Sequence, residues 1–135
     1  MSKATKWFYF SQKHKLIGRL ISKLMRWFFS CDISPNANIG KNCNFEHNAL
    51  GVVISSMATI GDNCKIYHGV TVGAGEGGYP TIGNNVVIFT NATIIGGITI
   101  GDNCVIGANS LVNTSVPENS IVGGVPARVL KENNK

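Results

Sequence analysis

Residues 81–112 read TIGNNVVIFTNATIIGGITIGDNCVIGANSLV. An aliphatic side chain returns at every sixth position: Ile82, Ile88, Ile94, Ile100, Ile106 and Val112. Working outward, the same spacing gives Ile54, Ile60, Ile66 and Val72, and before them Ile33, Ile39 and Phe45. Glycine often follows directly, at Gly40, Gly61, Gly73, Gly83, Gly101 and Gly107. Four residues after each aliphatic comes a small or β-branched residue, from Ala37, Cys43 and Ala49 through Ala58, Cys64, Val70, Val86, Ala92, Ile98, Cys104 and Ser110 to Val116. A period of six suits neither an α-helix nor an isolated hairpin. It suits a solenoid in which each hexapeptide is one flat side and a corner, and three sides make a coil. The predicted class is all-β: a parallel β-helix whose coils stack about 4.8 Å apart. Handedness does not follow from spacing.

The composition agrees. A hydrophobic fraction of 44% against 14% charged is enough for a core and too little charge for a disordered chain. Cys43, Cys64 and Cys104 fall in the small interior slot, so they read as inert core thiols; Cys31 precedes the repeat. No CxxC pair and no zinc-like spacing is present. The first residues lack the features of a signal peptide, and no apolar run reaches the ~20 residues of a membrane span. A cytoplasmic location is therefore expected.

The charge is divided. Residues 1–30 carry Lys3, Lys6, Lys13, Lys15, Arg19, Lys23 and Arg26 and no acid, while the remainder is slightly acidic. Such a short basic segment argues against a nucleic-acid surface. Leu16, Ile17, Leu20, Ile21, Leu24, Trp27 and Phe28 follow helical spacing, with Lys15, Arg19, Lys23 and Arg26 opposite. Trp7, Phe8, Tyr9 and Phe10 precede them. Two domains follow: a basic amphipathic helical segment over 1–30 and the β-helix over 31–135. The helix has two readings, peripheral contact with a membrane surface or a cap on the open end of the solenoid.

The repeat is broken twice. Phe45 to Ile54 holds three extra residues around Leu50-Gly51-Val52-Val53. Val72 to Ile82 holds four, in the glycine-rich stretch Gly73 to Thr81, which reads as a projecting loop. Insertions must leave the wall, so function tends to gather there. Allowing for them, His47 and His68 stand one coil apart in one column, continued by Thr90 and Ala108, with the loop expected close by. Histidine suits general-base work near neutrality. Asp32, at the mouth of the solenoid, is positioned to orient one ring, as the carboxylate of a hydrolytic triad does.

Four stretches carry a family resemblance: Asp32-Ile33-Ser34-Pro35, Glu46-His47-Asn48-Ala49, Gly69-Val70-Thr71-Val72-Gly73 and Gly123-Gly124-Val125-Pro126-Ala127-Arg128-Val129. Over roughly residues 31–131 the chain resembles the serine acetyltransferase branch of the left-handed β-helix acyltransferases. The resemblance implies a left-handed helix, a homotrimer with sites between subunits, and direct acetyl transfer from acetyl-CoA to a hydroxyl without metal. It implies His47 as base with Asp32 as its partner, and His68 as a further catalytic candidate. Gly73, Thr90, Ala108, Asn113, Arg128 and Lys131 match positions that contact CoA; Glu46 and Tyr79 are expected on the acceptor side.

The departures concern the acceptor. Serine acetyltransferases carry an Arg-His pair before the loop proline, where this chain has Gly78-Tyr79-Pro80. His68 stands where they tend to have Gln, and is familiar from surface-polysaccharide acetyltransferases of the colanic acid type. The expectation is thus a sugar hydroxyl of a surface polysaccharide, with a serine O-acetyltransferase of cysteine synthesis as the alternative. The tail Lys131-Glu132-Asn133-Asn134-Lys135 lacks the isoleucine by which such enzymes dock to the next one in the pathway. A non-catalytic or metal-binding β-helix is a third reading, but a zinc site would need His14 beside His47 and His68.

Overall fold

A computed structural model describes residues 1–134; Lys135 lies outside the described residues. Two helices, α1 (Lys3–Lys13) and α2 (Lys15–Phe29), precede a left-handed parallel β-helix of about four turns. The first coil is β1 (Asp32–Ile33), β2 (Asn38–Ile39) and β3 (Asn44–Phe45); the second is β4 (Val53–Ile54), β5 (Thr59–Ile60) and β6 (Lys65–Ile66). The third is β7 (Thr71–Gly73), β8 (Thr81–Ile82) and β9 (Val87–Ile88); the fourth is β10 (Thr93–Ile95), β11 (Thr99–Ile100) and β12 (Val105–Ile106). β13 (Leu111–Val112), β14 (Ser120–Gly124) and β15 (Ala127–Glu132) close the stack. Three sheets form the walls: β1-β4-β7-β10-β13, then β2-β5-β8-β11, then β3-β6-β9-β12-β14 with β15 added antiparallel.

Most wall strands are two residues long, one of each pair facing in. Ile33, Ile54, Val72, Ile94 and Val112 stack in one wall, and Phe45, Ile66, Ile88, Ile106 and Val122 in another, all buried. The cysteines of the small slot are buried and free, as is Cys31. One slot differs from expectation. Val116 pairs with Ile100 as a large interior residue, since the last coil is two residues short before it. The corners between second and third walls carry a second repeated signal. Asn42, Asn63, Asn85, Asn103 and Asn119 stand three residues after the interior aliphatic, all with φ near +57°. Asparagine tolerates the left-handed region better than other chiral residues. Glycine at the start of this corner is a matter of space: a Cβ on Gly61 would lie 2.7 Å from the Gly83 carbonyl oxygen.

The N-terminal segment is two helices where one was expected. Helix α1 closes the open end. Phe8 is fully buried with its ring 5.6 Å from Phe45, edge to face. The first coil's unpaired backbone groups find partners on α1: Phe45 N–H donates to Thr5 Oγ1 (2.8 Å), and Gln12 Nε2 donates to the Ala37 carbonyl (2.8 Å). Tyr9 Oη donates to the Gly40 carbonyl (2.6 Å) and accepts from Cys43 N–H (3.0 Å). A buried donor left unpaired costs about 1–3 kcal/mol, so the cap is required by the sheet edge itself. On α2 the buried face is Gly18, Ile21 and Met25, against the coil and α1.

Burial pushes the Tyr9 hydroxyl up to about 12 and the Cys31 thiol up to about 11. Groups held neutral by the fold add stability in full below their unfolded values and lose it as pH rises through the folded ones. Thermal stability is therefore expected to fall from about pH 9 to pH 12. Tyr9→Phe is expected to lower stability at pH 7 by about 1–3 kcal/mol and to flatten the part of that decline above pH 10. Melting curves of both proteins across this range provide the check.

Candidate active site

The corner between third and first walls carries the candidate side chains. The third-wall register Phe45, Ile66, Ile88, Ile106 continues two residues on as His47, His68, Thr90 and Ala108, and the β12–β14 pairing adds Gly124 above. Each of the four is followed by a residue with positive φ: Asn48, Gly69, Asn91 and Asn109. That residue reverses the chain toward the next wall and leaves its predecessor at the outer edge. The column predicted from spacing is thus present, and the histidine rings lie 4.9 Å apart, edge to face.

His47 sits on a strained turn. Over Glu46–Ala49 a short 3₁₀ segment contains His47, Asn48 and Ala49 with φ of 51°, 53° and 59°. A non-glycine residue there costs roughly 1–2 kcal/mol, and such strain gathers at functional sites. The three-residue insertion makes the turn wide enough: Ala49 and Val52 are both buried, while Leu50 and Gly51 bulge outward. Helix α1 braces it, since Asn48 Oδ1 accepts from the Lys3 (3.0 Å) and Ala4 (3.5 Å) N–H groups at the helix start. The Glu46 carboxylate accepts from Asn44 Nδ2 (2.8 Å), so it is engaged in the same corner. His68 Nδ1 is buried with no hydrogen-bond partner among the described residues.

Two neighbours went unnoticed in the sequence. Tyr67 has its ring 6.4 Å from His47 and 5.0 Å from Phe89, so an aromatic strip borders the histidines. The signal was available: Tyr67 and Phe89 occupy the position after the interior aliphatic that glycine fills in many repeats.

Asp32 has a partner of its own, and the loop differs from expectation in two ways. No hydrogen bond joins Asp32 to His47 in this structure; its carboxylate pairs with Arg26 of α2, the one ion pair among the described residues. Arg26 is long enough to reach the exposed carboxylate from the helix, a tertiary neighbour invisible to spacing. The glycine-rich stretch does not project freely. It forms a hairpin, with Gly75 and Gly78 exchanging backbone hydrogen bonds (3.0 and 3.2 Å), and is tied down where Gly97 N–H donates to the Glu76 carbonyl (2.9 Å). Nor does it lie beside the histidines on the same chain. It leaves from Gly73, at the opposite edge of the first wall, five residues and up to about 17 Å along the strand from His68.

The remaining candidates divide between these edges. Asn113 follows Val112 and stacks above Gly73 with Ile95 between, so Gly73, Asn113 and the half-exposed Tyr79 belong to the loop edge. Thr90 and Ala108 belong to the histidine edge, and Arg128 pairs with Gly123 beside Gly124 at its top. Four coil steps of ~4.8 Å place Gly124 about 19 Å above His47. The Arg128 guanidinium bonds only its neighbour's carbonyl (Ala127, 2.9 Å). Lys131 pairs with Ile121 on the outer strand, further from the corner. His14 lies between α1 and α2 with its ring 4.3 Å from Phe10, and no metal-sized group of ligands occurs among the described residues.

Residues 79–114 match the family model described as bacterial transferase hexapeptide (six repeats). The chain is 44% identical over 127 residues to a serine acetyltransferase of Staphylococcus aureus (strain Mu50), a match covering 91% of this chain and 59% of that one. Among solved structures it is similar to the serine acetyltransferase of Neisseria gonorrhoeae in complex with serine (TM-score 0.85, 34% identity, 95% of this chain and 55% of that). It is also similar to a serine acetyltransferase in complex with CoA (TM-score 0.83, 32% identity, 94% of this chain and 55% of that). The chain spans a little over half the length of the relatives it matches. The likeness is thus to serine-acetyltransferase-like hexapeptide acyltransferases, and it overturns the expectation of a sugar acceptor in surface-polysaccharide synthesis. His68 and the loop without arginine are two positions, against a likeness that runs through nine-tenths of the chain.

The hairpin clamp has a direct test. A Cβ on Gly97 would stand 2.2 Å from the Gly77 carbonyl oxygen. Gly97→Ala is expected to lift the hairpin, cost about 1–3 kcal/mol in stability, and speed cleavage after Glu76 by a glutamate-specific protease, with the circular dichroism of the β-helix unchanged.

Proposed function

We propose that the protein is an acetyl-CoA-dependent serine O-acetyltransferase with His47 as general base. One observation carries the reading: two histidines in register on a strained, braced corner, in a chain 44% identical to a serine acetyltransferase. His47 takes the proton of the serine hydroxyl. The resulting alkoxide oxygen attacks the thioester carbonyl carbon of acetyl-CoA, forming the new C–O bond and a tetrahedral oxyanion. Collapse breaks the C–S bond, and the CoA thiolate leaves, protonated by the histidinium. No covalent enzyme intermediate is needed. Asp32 acts by fixing the His47 tautomer once it turns from Arg26, and both partners of that pair are exposed enough to exchange. His68, whose ring stands edge to face with that of His47, is the further catalytic candidate beside the base. Backbone N–H groups near Gly73 serve the oxyanion. CoA lies along the coil edges, against Thr90, Ala108 and Asn113, with Arg128 and Lys131 toward its phosphates. Glu46 and Tyr79 flank the acceptor.

The same reading includes a homotrimer. What supports it is the division of candidates between two edges of one wall: Gly73, Asn113 and Tyr79 can join the histidine column only if a neighbouring subunit brings them. The β-helix over 31–135 is then the catalytic unit and residues 1–30 its cap.

Release of CoA thiol from acetyl-CoA, with L-serine and a panel of sugars offered in parallel, tests the function. Turnover with serine is expected, falling about 10²- to 10⁴-fold in His47→Ala. Turnover with sugars and none with serine overturns the reading. Shared sites predict complementation: mixing inactive His47→Ala subunits with inactive Asn113→Ala subunits is expected to restore part of the activity, and failure to do so after subunit exchange argues for self-contained sites.

A further inference from the structure

The surface least explained by catalysis is the outer side of the helix pair. At 100° per residue, α2 divides into three arcs. Gly18, Ile21, Ser22 and Met25 pack inward, Ser22 donating to the Ile33 carbonyl (3.3 Å). Next comes an arc of about 120° holding Leu16, Ile17, Leu20, Leu24, Trp27 and Phe28, every one exposed, Leu16 completely and Trp27 to 85%. The third arc is Lys15, Arg19, Lys23 and Arg26, also exposed. Helix α1 extends the apolar arc: Trp7 and Phe10 line an open groove of about 410 Å³ with Leu24, and the Trp7 ring is 5.7 Å from Phe28.

We infer that this face docks on an anionic lipid surface. An apolar area of eight large side chains, four of them aromatic, is not left in water without an occupant. Its chemistry says which. Residues 1–30 carry seven cations and no acid, so a second copy meeting this face would set seven positive charges against seven. The occupant must be apolar where the stripe meets it and negative around the rim. An acidic bilayer is both: the stripe enters the acyl boundary while the flanking Lys and Arg reach the headgroups. No helix among the described residues is long and apolar enough to cross a membrane, so the pair lies on the surface. The aromatic residues suit that depth. Because α1 also braces the His47 turn, docking would place the bilayer beside the lower end of the histidine column. The inference stands apart from the acyl acceptor, and serine turnover does not test it.

Flotation of the full chain with vesicles of phosphatidylcholine alone, and of phosphatidylcholine with phosphatidylglycerol, is the experiment. Binding is expected only to the anionic vesicles, with a blue shift of tryptophan emission. Replacing one cation, as in Lys23→Gln, is expected to weaken it about fivefold, and raising the salt to weaken it further. Leu20→Asp and Trp27→Ala lie on the exposed arc and leave the packed arc untouched, so melting curves should stay close to wild type while flotation is lost. No flotation with anionic vesicles, or flotation unchanged by Leu20→Asp, overturns the inference. So does a fall in sedimenting mass on Leu20→Asp, which would assign the face to another copy of the chain.

Discussion

The stacking of coils about 4.8 Å apart governs everything else in this molecule. Within the stack, wall backbone groups are bonded to the neighbouring coils, so a residue cannot shift along its strand without breaking the ladder. Side chains are thereby fixed in vertical columns. The interior columns can hold only what fits the triangular space, which is why isoleucine and valine recur with alanine, cysteine and valine beside them. The corner columns must turn the chain in the same place each time, which is why asparagine and glycine recur with positive φ.

The candidate site is a by-product of that ladder and an exception to it. Register alone brings His47 and His68 to 4.9 Å. The exception is the extra three residues after Phe45, which widen one corner and force three successive residues into the left-handed region. A solenoid end could not hold such a turn unaided, since no coil lies beneath it. Helix α1 supplies the missing neighbour, covering Phe45 with Phe8 and taking Asn48 Oδ1 at its first N–H groups. The helical cap and the histidine corner are one mechanical unit.

The same helices explain the polarity of the molecule. The β-helix is slightly acidic, while every cation of the first thirty residues stays exposed because the sheet edge takes only uncharged side chains of α1. What is left outward is a surface of aromatic, aliphatic and basic groups with no counterpart elsewhere on the chain.

Sequence by itself determined the repeat, the interior and small slots, the two insertions and the His47–His68–Thr90–Ala108 column. It did so because a six-residue period converts sequence separation directly into height along one axis. It also held the clue to Tyr67 and Phe89, which replace the glycine of their repeats. Tertiary structure alone decided what lies off that axis. The pairing of Asp32 with Arg26, the clamping of the hairpin onto Gly97, the folding of the N-terminal segment as two helices, and the placing of Gly73 and Asn113 on the edge opposite the histidines all depend on how separate elements meet. Periodicity counts residues along one chain direction and carries no record of such meetings.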